Sequence, residues 1–256
     1  MGKYMKNIFF GYLILLFFSG AFSPVLKAAQ CVTLDCYLEE FENLTSDDQR
    51  FELTKHMILS SAKSSKKSNF DAALQKMDIL AHSKNEKAVV FLYELYVNGD
   101  LVQRDYRMSI YYLELLPQLS KRPELLFDLG LLYRKVDPVV YSEKSKKLIE
   151  TAYKLGSLRA KESKAKKLLL SESRNDVLRG GGMLKDLAEI GKVTSMHYYS
   201  LYLLREYLWS CNTEIRDEAL RWHKNADSPE FKPILKQTRD SFIKEGDDYC
   251  SILKTE

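Results

Sequence analysis

Residues 87–116 read KAVVFLYELYVNGDLVQRDYRMSIYYLELL. Ala88, Leu92, Leu95 and Tyr96 recur at the spacing of one helical face. Asn98-Gly99-Asp100 stops that helix, because glycine takes the left-handed backbone that ends helices. Asp105 can cap a second helix carrying Ser109, Tyr112 and Leu116, and Pro117 and Pro123 bracket its end. Residues 87–119 therefore predict a helical hairpin.

Working outward, the second helix of this hairpin has copies. Its signature is a small residue, a bulky one three later and an apolar or small one seven later. Ser109, Tyr112 and Leu116 fit, as do Ser145, Leu148 and Ala152. So do Gly181, Leu184 and Ala188, then Ala219, Trp222 and Ala226, and more loosely Leu74, Met77 and Ala81. First members fall at 74, 109, 145, 181 and 219, so the steps are 35, 36, 36 and 38 residues. First helices give a second register: Ala88, Leu92 and Tyr96 return as Leu125, Leu129 and Tyr133. Ala160 and Ser195 hold the same place after Gly156 and Gly191. Lys164 breaks the pattern where a large apolar residue is expected. A lone hairpin cannot bury both of its apolar faces, whereas stacked hairpins cover one another. The expectation is an all-α solenoid of α/α hairpins with about four to five repeats.

The segment Ala88-x-x-x-Leu92-x-x-x-Tyr96-x-x-Gly99-x-x-Val102-x-x-Asp105, running on to Ser109 and Tyr112, resembles the Sel1-like repeat. That family is a branch of the tetratricopeptide (TPR-like) hairpins. Leu129-Gly130-x-x-Tyr133, Ala152-x-x-x-Gly156-x-x-x-Ala160 and Ala219-x-x-Trp222-x-x-x-Ala226 look like further pieces of the pattern. Ser109 and Ser145 stand where the family prefers alanine. The resemblance implies a TPR-like superhelix serving as an adaptor or scaffold. It implies an exported bacterial member with no active site of its own.

The first 30 residues are a separate device. Lys3 and Lys6 form a basic head, residues 8–22 are almost unbroken apolar sequence, and Leu26-Lys27-Ala28-Ala29 offers a small-residue cleavage site. This describes a secretory signal cut near Ala28/Ala29, leaving a periplasmic or secreted protein. Expected organisation is 1–29 signal peptide, 30–69 N-terminal helical cap, 70–226 repeats and 227–256 C-terminal capping helix. Removing Lys3, Lys6 and Lys27 lowers the formal charge from +4 to +1, so nothing in the charge calls for a nucleic-acid partner. Membrane contact is expected only through the signal segment before cleavage.

All four cysteines, Cys31, Cys36, Cys211 and Cys250, lie in the exported part, which favours two disulfides. Three connectivities are possible. Cys31–Cys36 with Cys211–Cys250 keeps each loop short and ties down each chain end.

Chemistry is sparse. His56, His82, His197 and His223 form no two-histidine metal spacing, so no metal is expected. Gly180-Gly181-Gly182 lacks the Lys-Ser/Thr of a phosphate loop and reads as a flexible start to a hairpin. Lys144, Lys146, Lys147, Arg159, Lys161, Lys164, Lys166 and Lys167 read mostly as a solvated helix face. No catalytic residue and no cofactor is expected.

In a hairpin solenoid the first helices line the concave groove. If Ala88, Leu92 and Tyr96 face inward, then Lys87, Val90, Glu94 and Asn98 are free for a partner. The equivalents in later units include Phe127, Leu131 and Arg134, then His197 and Leu201. The expected function is a non-catalytic protein–protein interaction scaffold in the bacterial periplasm or cell envelope, its partner another envelope or secreted protein. The alternative is a carbohydrate- or peptidoglycan-binding or -processing protein using the same groove.

Overall fold

The computed structural model describes residues 33–64, 67–116, 118–226, 240–241 and 243–250. The expected signal peptide, Cys31 and most of the expected C-terminal cap lie outside these residues. Among the described residues every regular element is helical, and no helix is long and apolar enough to cross a membrane.

The helices are α1 (Leu34–Asn43), α2 (Asp47–Ser64), α3 (Lys67–His82), α4 (Glu86–Asn98) and α5 (Tyr106–Leu115). After a 3-10 turn at Leu119–Lys121 come α6 (Pro123–Val136), α7 (Ser142–Lys154), α8 (Leu158–Leu169), α9 (Arg174–Glu189), α10 (Val193–Ser210) and α11 (Thr213–Asn225). The described residues divide into two compact units: those up to 119 together with 132–139, and 120–131 together with those from 140 on. In both units helices pack on their sequence neighbour, and some also on the next but one, as stacked hairpins do.

Local chemistry sets the helix limits. Thr33, Asn85, Asp105, Ser157, Ser173 and Asn212 each accept a backbone N–H at the start of a helix. Asp47 and Asp48 sit in the first turn of α2, where carboxylates favour the helix dipole. Gly99 ends α4 in the left-handed conformation, φ 75°. The 98–105 turn then closes back, with Asp105 N donating to Tyr96 O at 3.0 Å.

In the first unit α2 pairs with α3 and α4 with α5. The α2 stretch lies within the expected N-terminal cap and packs on α3. Leu53, Ile58, Met77, Val89, Leu92 and Leu113 are fully buried between these helices. Polar links tie α3 to α5. The Tyr112 hydroxyl donates to Asp78 Oδ1 at 2.9 Å, and His82 Nε2 lies 2.6 Å from the Tyr111 hydroxyl. Burial, followed by that Asp78 contact, pushes the Tyr112 phenol well above its ordinary pKa. Tyr96 stacks on Tyr112 with ring centroids 5.7 Å apart.

In the second unit the small residues of the repeat sit where helices cross. Ser145 Oγ donates to Gly130 O at 2.7 Å, and a Cβ on Gly130 would lie 2.8 Å from Ile149 Cγ1. Ala165, Leu184, Ala188, Tyr199, Leu204 and Ala219 form one buried cluster, and Ile243 packs against it. Lys164, the residue that broke the sequence pattern, lays its amine 3.9 Å from the Tyr153 ring centroid.

The glycine run corrects a sequence expectation. Gly180, Gly181 and Gly182 are not a flexible hairpin start but lie inside α9. Gly180 abuts the α8 backbone at Ala165, and Gly181 abuts the Tyr202 ring of α10. Two of the three glycines therefore serve close helix approach.

Cys211 and Cys250 are joined by a disulfide, with Cα atoms 5.5 Å apart. Residues 243–250 are helical and rest on α10 and α11. There Asp247 accepts from the Tyr207 hydroxyl at 2.7 Å and from Arg216 at 2.9 Å. Cys36 is disulfide-bonded as well, while its expected partner Cys31 lies outside the described residues.

Candidate partner-binding surface

The outward face of α4 follows from its inward one. Ala88, Leu92 and Leu95 turn into the first unit, while Lys87, Glu94 and Asn98 are exposed and Val90 is half-buried. Lys87 is held by Asp48 of α2 at 3.1 Å. One turn on, Phe91 meets Phe51 of α2 edge to face, centroids 6.2 Å apart. α4 then stops at Gly99, and the chain turns outward through Asp100 and Leu101.

That turn creates a shallow depression of about 140 Å³ lined by Phe91, Glu94, Leu95, Asn98, Asp100 and Leu101. Leu95 is the buried floor, Phe91 a half-buried wall and Leu101 an exposed lip. Glu94 and Asp100 stand exposed at the rim and take part in no ion pair or side-chain hydrogen bond among the described residues. The Asn98 carbonyl accepts from Arg104 Nε at 3.2 Å and Nη2 at 2.8 Å. Two of the residues expected from sequence, Glu94 and Asn98, thus line one concavity. Phe91, Leu95, Asp100 and Leu101 were missed. The available signal was an apolar residue directly after the Asn98-Gly99-Asp100 helix stop.

The later candidates fare differently. Phe127 is only 5% exposed, covered by the Arg159 guanidinium 5.2 Å from its ring centroid. Arg159 is in turn held by Asp128 at 2.6 Å. His197 is 6% exposed, with its ring 6.2 Å from that of His223. Burial, with His223 and Lys166 nearby, lowers the His197 pKa to about 4. Leu131 is half-buried, Arg134 is exposed, and Leu201 packs half-buried on the second unit's core. Neither Phe127 nor His197 is available to a partner. A first helix flanked by two hairpins buries two strips of its surface, and the Ala88-type spacing marks only one of them.

The basic residues of α7 and α8 are largely neutralised. Lys146 pairs with Glu143, Lys161 with Asp186, Lys164 with Glu150 and Lys166 with Glu162.

No protein-family model matches the chain, and no curated protein matches it in sequence. Among solved structures, a Sel1 repeat protein from Oxalobacter formigenes is similar over 75% of this chain and 77% of that one, with a TM-score of 0.51 and 16% identity. At that identity the likeness is one of fold: this chain is an α/α-hairpin repeat protein with the Sel1-repeat fold.

Proposed function

We propose that this chain is a non-catalytic interaction scaffold of the bacterial periplasm or cell envelope, holding another envelope or secreted protein against the groove side of its first helices. The observation that carries this reading is the depression at the end of α4. It offers an apolar floor, an exposed apolar lip and two carboxylates at its rim, on a helical hairpin. Partner anchors characteristically seat in such preformed recesses. The hairpin-repeat fold supports the reading in general, because such folds present long side-chain surfaces.

Two observations support export. The N-terminal sequence has the three parts of a secretory signal, and the Cys211–Cys250 disulfide suits an oxidising compartment. Mass determination of the protein recovered from the periplasm should give a mature chain beginning at Ala29 or Gln30. An intact Met1 terminus in that fraction would reject cleavage.

The binding reading is tested by retention of envelope proteins on immobilised residues 30–256. Wild type is compared with Asn98→Trp, whose side chain fills the depression. One dominant, salt-resistant protein lost with Asn98→Trp at unchanged melting temperature is the expected result. Equal retention by both proteins would place the interaction elsewhere. Retention on purified peptidoglycan without any protein partner would favour a glycan-binding role instead.

A further inference from the structure

We infer that the depression at the end of α4 receives one long basic side chain of the partner, a lysine or an arginine. This inference rests on the groove reading above and adds the chemistry of what enters. Its premise is a mismatch between lining and rim. The lining is apolar at Phe91, Leu95 and Leu101, while the rim carries two carboxylates, Glu94 and Asp100. Neither carboxylate is satisfied by the chain itself among the described residues. Two nearby cations are already engaged: Lys87 with Asp48 at 3.1 Å, and Arg104 with the Asn98 carbonyl at 2.8 Å.

A partner residue that suits both parts must be amphipathic along its length. Lysine and arginine lay an aliphatic stem on apolar surface and keep the charged head in water. Here the stem would lie on Leu95 between Phe91 and Leu101, and the head would reach Glu94 and Asp100. The volume of about 140 Å³ suits a single side chain rather than a helix or strand. An acidic residue would meet two like charges, and a purely apolar one would leave the carboxylates partly desolvated without a donor. The rim charges are exposed, so their main effect is on partner choice and association rate.

The test uses the mature protein with isotope-labelled leucine methyl groups and three probes sharing a butyl chain: n-butylguanidinium, n-butanol and pentanoate, at matched ionic strength. Butylguanidinium should shift the Leu95 and Leu101 methyl signals saturably, with butanol weaker and pentanoate weakest. The Glu94→Gln/Asp100→Asn double variant should weaken butylguanidinium several-fold while leaving butanol and the melting temperature unchanged. Equal binding of butanol and butylguanidinium, or an unchanged butylguanidinium affinity in the double variant, would overturn the inference. The groove reading is separable: a protein partner retained by the double variant but lost with Asn98→Trp would uphold that reading while rejecting the basic-side-chain inference.

Discussion

Glu124 of α6 closes the start of α8. Its Oε1 accepts from Leu158 N at 2.8 Å, and its Oε2 accepts from Ser157 Oγ at 2.9 Å. The residues are 34 positions apart, close to one repeat, so the first helix of one hairpin caps the first helix of the next. Glu124→Ala should remove both acceptors and destabilise by about 1–2 kcal/mol, the usual cost of losing a helix cap. Denaturant unfolding checks the value. Glu124→Gln keeps one acceptor oxygen and should cost less.

The glycines of α9 should part company. Gly182 is exposed, and an added Cβ would meet nothing within 4 Å. Gly182→Ala should therefore stabilise by about 0.5–1 kcal/mol through helix propensity alone. At Gly181 a Cβ would overlap the Tyr202 ring, so Gly181→Ala should destabilise by about 1–3 kcal/mol as that ring is displaced. Thermal melting of the two single variants, with opposite signs expected, checks the packing of α9 against α10.

The Cys211–Cys250 link closes a loop of 39 residues and fastens the 243–250 helix to α10 and α11. Cys250→Ser should lower stability by about 2–4 kcal/mol under oxidising conditions. With reductant added to both, wild type and variant should converge. Equal stability of the two proteins in oxidising buffer would mean that the clamp contributes nothing.

Stability should also fall on mild acidification. The His197 pKa is depressed to about 4 in the fold, whereas an unfolded histidine titrates near 6.5. Above about pH 6.5 both states are neutral and the fold loses nothing. Between about 6.5 and 4 the unfolded chain takes up a proton that the folded chain refuses, so folding weakens by up to about 3 kcal/mol. Below about 4 this contribution levels off. His197→Gln should flatten the stability curve across that window, as read by urea midpoints at stepped pH.

The hairpin fold was legible because its signals are local. Gly99 needs a left-handed backbone, Asp105 a helix start, and Ser145 a close helix crossing, each visible in a few neighbouring letters. What stayed hidden depends on distant neighbours. Phe127 looked free because nothing near it in sequence reveals that Arg159 will cover it. Gly180 and Gly181 looked like a break because poor helix formers carry no mark of the helices that will press on them. The depression at the end of α4 was half legible. Glu94 and Asn98 follow from the α4 face, whereas Asp100 and Leu101 join them only because the turn after Gly99 folds outward.

The most direct test of the scaffold account is a photo-crosslinking amino acid placed at position 98 and, as a control, at exposed position 75 on α3, in cells making the full chain. The account predicts a discrete protein adduct from position 98 in the envelope fraction and none from position 75. Adducts from position 75 alone, or no adduct from position 98 while the protein is folded and exported, would contradict it.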